Sequence, residues 1–179
     1  EATAALYYKK SLQTWKKEAD DGDAKAALWA ALVYERKLVP DSSPEKSVPY
    51  LLQAAESGNL TAQGLLAFKY RDGLGVPQDA AKAVEWFEKA ASRKDLGAVM
   101  ELGIMFRDGK YLPPDREKAF HWFEKGAEWK DPYSMAALAD MLLEGTPSAE
   151  QAARALALYR EAAAVGYFPA ALKAAELLQ

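Results

Sequence analysis

Few side chains in this sequence could do chemistry. His121 is the one imidazole and cysteine is absent, which removes thiol nucleophiles, disulfides, thiolate metal sites and any pair of imidazoles. His121 shares its repeat position with Glu85, on an outward helix face, and a lone exposed histidine without a positioned partner makes a poor general base. The run Asp20-Asp21-Gly22-Asp23 offers oxygen ligands. It lacks the alternating spacing and closing bidentate glutamate of a calcium loop, and it coincides with a turn seen again at Ser57-Gly58-Asn59. Gly73-Leu74-Gly75 follows a helical pattern, not a strand, and no lysine-serine pair comes after it, so it does not read as a phosphate loop. No nucleophile and base stand at a suggestive spacing. The expectation is no catalytic residue, no metal site, no cofactor and no enzyme activity.

The totals narrow the classes further. The chain has 179 residues, 50% hydrophobic and 27% charged, the balance of a globular domain. Its 23 Lys and Arg against 26 Asp and Glu give a net charge of -3. Lys9, Lys10, Lys16 and Lys17 cluster near the start, but among acidic neighbours and at helical spacing they read as a solvated face. Nucleic acid is therefore not an expected partner. Every apolar run is broken well short of the roughly 20 residues needed to cross a bilayer, so direct membrane insertion is not expected either. The sequence opens on Glu1, which leads us to expect an upstream segment, such as a signal peptide or lipid anchor, removed from it. A chain without cysteine suits the cytoplasm or an oxidising envelope compartment equally.

The elements that must position any functional side chain emerge from a 36-residue offset that aligns the chain with itself. Ala26, Ala62, Ala98, Ser134 and Ala170 share one column; Ala30, Leu66, Leu102, Leu138 and Ala174 share another; Tyr34, Tyr70, Phe106, Leu142 and Leu178 a third. In the second half of each unit Ser47, Ala83, Ala119 and Ala155 align, then Tyr50, Trp86, Trp122 and Leu158, then the small pairs Ala54-Ala55, Ala90-Ala91, Gly126-Ala127 and Ala162-Ala163. Apolar positions recur every three or four residues, as in Ala62, Leu66 and the pair Lys69-Tyr70, so each unit is two amphipathic helices. Turn signals separate them at Gly73 to Pro77, Gly109 with Pro113-Pro114, and Gly145 with Pro147. Ser43, Asp79, Asp115 and Ser148 are the expected helix-opening caps, Ser148 with Gln151 as a capping box. The spacing predicts paired helices at 24–36 and 44–57, 61–72 and 79–93, 97–108 and 115–129, and 133–144 and 148–165, after a leading helix at 4–20. Pro49 falls inside one of them and predicts a late start or a kink.

The stretch Ala62-Gln63-Gly64-Leu65-Leu66-Ala67-Phe68-Lys69-Tyr70-Arg71-Asp72-Gly73-Leu74-Gly75-Val76-Pro77-Gln78-Asp79, with Lys82-Ala83-Val84-Glu85-Trp86-Phe87-Glu88-Lys89-Ala90-Ala91, resembles the Sel-one-like repeat (SLR), a relative of the tetratricopeptide repeat. The next unit repeats it as Leu102-Gly103, Phe106, Gly109, Asp115, Lys118-Ala119, Trp122-Phe123 and Lys125-Gly126-Ala127. Two departures stand out: Lys37 replaces the turn glycine and Leu158 the tryptophan. The resemblance implies an all-α, right-handed α/α superhelix in one domain over 1–179, with repeats at 24–59, 60–95, 96–131 and 132–167 and a closing helix at 168–179. It also implies a non-catalytic adaptor or assembly scaffold, with first helices lining a concave face. Family members are common in bacterial envelopes and secretion pathways, which favours the periplasm or envelope over the cytoplasm; the chain is expected to act as a monomer. Some are immunity proteins that neutralise secreted lipases, which is the alternative role.

A stack of repeats buries its columns against neighbouring repeats and leaves the other faces for a ligand. Off the core columns of the first helices lie Trp29, Leu32 and Arg36, then Leu65, Phe68 and Arg71, then Glu101 and Ile104, then Tyr133 and Asp140. An apolar stripe flanked by charge marks a partner site, so these ten residues are the candidate contacts with another protein, Trp29 and Phe68 its anchors. A helix phase one residue away would bury them instead. Trp86-Phe87 and Trp122-Phe123 recur at the repeat period and read as packing between repeats. A hydrolase using Glu and Asp pairs across the groove would need convergent carboxylates there, where the sequence puts apolar groups.

Overall fold

A computed structural model of the chain describes residues 2–178, so the expected start at Glu1 and the end of the closing helix at Gln179 lie outside the described residues. The chain divides between Arg93 and Lys94 into two compact units. The first holds α1 (Ala2–Asp20), α2 (Ala24–Glu35), α3 (Pro44–Glu56), α4 (Leu60–Asp72) and α5 (Ala80–Ala91). The second holds α6 (Leu96–Asp108), α7 (Arg116–Glu128), α8 (Pro132–Leu142), α9 (Ala149–Ala164) and α10 (Phe168–Glu176). No strand occurs among the described residues. In the first unit α2 pairs with α3 and α4 with α5, α3 packs on α4, and α1 lies against α2. In the second, α6 pairs with α7 and α8 with α9, while α7 packs on α8 and α9 on α10.

Two backbone devices recur at the repeat period and make these hairpins. The first is the left-handed residue in the turn between repeats: Gly22 at φ 98°, Gly58 at 83°, Lys94 at 64°, Lys130 at 63° and Gly166 at 99°. One residue later stands a cap. Asp23, Asn59, Asp95 and Asp131 each accept a hydrogen bond from a backbone N–H of the first helical turn, satisfying donors that have no partner inside the helix. These backbone bonds hold the Asp23 carboxyl below its ordinary range, and the Lys118 N–H does the same for Asp115, the cap of α7.

Second-helix caps form at Asp79, Asp115 and Ser148, the last as a complete capping box with Gln151. Ser43 departs from expectation. It occupies the cap position of α3 but makes no capping bond; its side chain is turned to Glu45 instead. Pro49 neither delays nor interrupts α3, which runs from Pro44 to Glu56. The carbonyl that Pro49 leaves unpaired belongs to Glu45, and both residues are exposed, so water can take the missing bond.

The interior follows the columns. Ala83, Ala119 and Ala155 are fully buried, as are Leu51, Phe87, Phe123 and Tyr159 on the adjacent turn. Small residues let the helices approach. A Cβ on Gly103 would collide with the ring of Phe123, and one on Gly126 with Ser134, so α6 and α8 both close on α7 at distances only glycine allows. Trp86 and Trp122 are buried as well.

Lys69 corrects the pattern. Its column holds Val33, Met105 and Met141 in the other repeats, and its side chain is 4% exposed. A charge there costs several kcal/mol unless it is paired. The Nζ atom lies 2.7 Å from Glu35 Oε1 and donates to the Leu74 carbonyl at 3.1 Å, while Ser47 Oγ donates to the same Glu35 carboxylate. One buried ammonium thus ties the ends of α2 and α4 to the start of α3.

Candidate functional site

The leading helix builds the site. Tyr8, Leu12, Trp15 and Ala19 recur at helical spacing on the face of α1 turned to α2; Leu12 and Ala19 are buried, Tyr8 and Trp15 half-buried. In later repeats the column of Trp15 holds Leu51, Phe87, Phe123 and Tyr159, all sealed inside. Trp15 instead leans over the flank of α2 and stacks on Trp29, the ring centroids 6.0 Å apart and the planes inclined by 28°. Trp29 remains 52% exposed.

Around this stack opens a recess of about 310 Å³. Tyr7 and Tyr8 close one end from α1; Leu32, Val33 and Arg36 continue the wall along α2. The last wall comes from the turn. Lys37 adopts φ 53°, keeping the left-handed conformation of the glycine it replaces, and the Leu38 N–H returns to the Val33 carbonyl at 3.0 Å. That helix-end geometry folds Leu38 back against the recess. The lining contains a guanidinium, two phenols and two indoles but no carboxylate. It suits an inserted apolar side chain whose neighbouring acceptors meet Arg36.

Of the ten expected contact residues, the structure brings Trp29, Leu32 and Arg36 together here. Leu65 and Phe68 are half-buried on α4. Phe68 packs edge-on against Phe87 at 5.1 Å, covered by the Arg71 guanidinium at 4.7 Å, and Arg71 itself binds Asp72. This is a separate cluster within the first unit. In the second unit Glu101 and Ile104 are half-buried on α6, and Tyr133 is exposed with its ring 4.9 Å from Tyr167. Asp140 accepts hydrogen bonds from the Tyr159 hydroxyl and the Lys173 ammonium. Burial, with the Asp140 bond second, pushes the Tyr159 phenol well above its ordinary range.

Sequence reasoning missed Tyr7, Tyr8, Trp15, Val33 and Leu38. A large ring in the leading helix, at a column reserved for sealed residues, was the available signal. His121 is exposed beside Trp122. Among the described residues no cluster of His, Asp or Glu could hold a metal ion, and no helix is long and apolar enough to cross a membrane.

Four stretches, 25–59, 61–95, 97–128 and 132–167, match the Sel1 repeat. The chain belongs to the Sel1 repeat family. No curated protein matches it. Among solved structures it is similar to a protective antigen of uropathogenic Escherichia coli strains displaying an SLR fold, at 30% identity and a TM-score of 0.72 over 87% of this chain and 33% of that one. A Sel1 repeat protein from Oxalobacter formigenes aligns at 27% identity and a TM-score of 0.71, over 89% of this chain and 63% of that one. A Sel1 repeat protein from Klebsiella pneumoniae subsp. pneumoniae shares the fold at 20% identity and a TM-score of 0.55, over 96% and 86% of the two chains. The chain thus spans a third of the first relative and under two thirds of the second. The fold class is the all-helical repeat solenoid expected from the columns. Sel1 repeat proteins are generally protein–protein interaction modules and typically non-catalytic.

Proposed function

We propose that this chain is a non-catalytic interaction module that grips a partner protein through the recess between α1 and α2. The observation that carries the reading is Trp29, half-exposed, stacked on Trp15 and backed by the aliphatic wall of Leu32, Val33 and Leu38. The stack on Trp15 uses one side of the indole and leaves about half of it in solvent, area that folding alone does not bury. Covered by a partner's apolar side chain, it gains the area burial and stacking that make tryptophan a dominant interface residue. Arg36 at the rim sets the orientation by pairing with an acceptor on the partner. The absence of any carboxylate in the lining argues against a hydrolase at this recess.

The role we assign is adaptor or assembly scaffold in a bacterial envelope or secretion pathway, acting as a monomer in the periplasm or at the envelope. The test is affinity capture with the wild-type chain beside a Trp29→Ala variant, followed by titration of the purified captured protein. A partner held by the wild type and lost by the variant, with the helical spectrum unchanged, supports the reading. A partner retained equally by both refutes it. The strength of binding then separates the roles, since an inhibitor of a secreted toxin should bind at about nanomolar Kd or tighter and a scaffold can work near micromolar.

A further inference from the structure

The other flank of α1 carries a second recess, of about 440 Å³. Leu12, Tyr34 and Val39, all buried, form its floor, and the rim is basic. Lys9, Gln13 and Lys16 follow one another at four- and three-residue spacing, so they line one edge of the helix. Lys16 lies beside the phenols of Tyr34 and Tyr50, whose rings stack at 6.1 Å. This lysine is half-buried, contrary to the wholly solvated face its sequence neighbourhood suggested. Lys9 is exposed and enters no ion pair among the described residues. The single acid of the lining, Asp41, is already bound by Lys46. The recess therefore pairs an apolar floor with an uncompensated positive edge.

Geometry sets the ligand's spacing. Seven residues of helix separate Lys9 from Lys16 by roughly 10 Å. In an extended peptide alternate side chains share a face, and residues four apart lie roughly 13 Å apart. A segment with an acid, an apolar residue two positions on and another acid two further on would lay all three side chains onto this surface. We propose that this recess binds such an acidic segment of a partner protein, its apolar side chain seated on Leu12 and Val39 and its carboxylates on Lys9 and Lys16. The proposal shares the protein-binding reading above but does not depend on the tryptophan recess.

The probe is the blocked peptide acetyl-Gly-Asp-Ser-Leu-Ser-Asp-Gly-amide, titrated into the ¹⁵N-labelled chain and followed by NMR. Saturable shifts centred on Gln13, Tyr34 and Val39 are expected. Replacing both aspartates of the probe by asparagine, or using a Lys9→Gln/Lys16→Gln variant, should weaken binding about fivefold, the size of two solvent-edged ion pairs. The single Lys9→Gln variant, at an exposed position, should show part of that loss without perturbing the fold. Trp29→Ala should leave the titration unchanged, so failure here is distinct from failure at the other recess. No saturable shift, equal binding of the asparagine probe, or equal shifts in the lysine variants would overturn the proposal. So would matching shifts from hexanoate at the same concentration, which would make the ligand a free carboxylate and not a peptide.

Discussion

In the first unit the column of Trp29 carries a solvent-facing indole, and the next repeats are tied by a buried ion pair, Lys69 to Glu35 at 2.7 Å. In the second unit that column holds Glu101 and the buried Ala137, the place of Lys69 is taken by Met105 and Met141, and successive repeats are joined at the surface. Arg116 reaches Glu144 at 3.3 Å, Lys130 reaches Glu161 at 2.8 Å and Arg154 reaches Glu124 at 2.6 Å, with Lys173 on Asp140. The turns differ as well. The first unit uses Gly22 and Gly58 at the left-handed positions, where the second uses Lys94 and Lys130 and only its last turn returns to glycine, at Gly166. One repeat architecture thus accepts two chemistries. The second unit pairs charges across its repeats at the surface, and the first keeps its cross-repeat charge inside and exposes apolar and cationic groups on the flanks of α1.

The largest stability effect should come from breaking the buried pair. Glu35→Ala leaves the Lys69 ammonium unpaired and should destabilise the chain by about 3 kcal/mol in urea unfolding. Lys69→Met, which imports the second unit's solution, should cost no more than about 1 kcal/mol because the charge leaves with its desolvation penalty. If the two variants behaved alike, the pair would not be what separates the units. Next is Gly103→Ala. Ala31, Ala67 and Ala139 fill that column in the other repeats, but α6 closes on Phe123, and about 2 kcal/mol of overpacking should outweigh the helix propensity gained. An unchanged melting temperature would mean that the closeness of α6 and α7 is not needed. The smallest effect is Lys130→Gly, which gives this turn the glycine found at Gly22, Gly58 and Gly166. Relief at φ 63° should exceed loss of the exposed Glu161 pair and stabilise by about 0.5 kcal/mol.

Much of this was legible in the sequence because a repeat writes its packing several times. Small and large columns, turn glycines and capping acids each recur at 36 residues, and most helix ends fall within a residue or two of where the columns place them. Lys69 was not legible, since an amphipathic pattern assigns a face and not the partner that makes a charge tolerable there. The recesses were half legible. Trp29, Leu32 and Arg36 follow from helix phase, but the ring that holds Trp29 comes from α1, which packs chiefly on α2 and so escapes the constraints that fix the interior columns. Phe68 shows the opposite relation of phase to packing. Its phase places it off the core, yet Phe87 and Arg71 cover it from two sides.

The most direct measurement is calorimetric titration of the captured partner against the wild-type chain and against Trp29→Ala, with circular dichroism on both. Loss of a central aromatic contact should weaken binding about a hundredfold while the helical signal stays the same. Equal affinity for the two chains would contradict the assignment of the Trp15 and Trp29 recess as the place where this protein holds its partner.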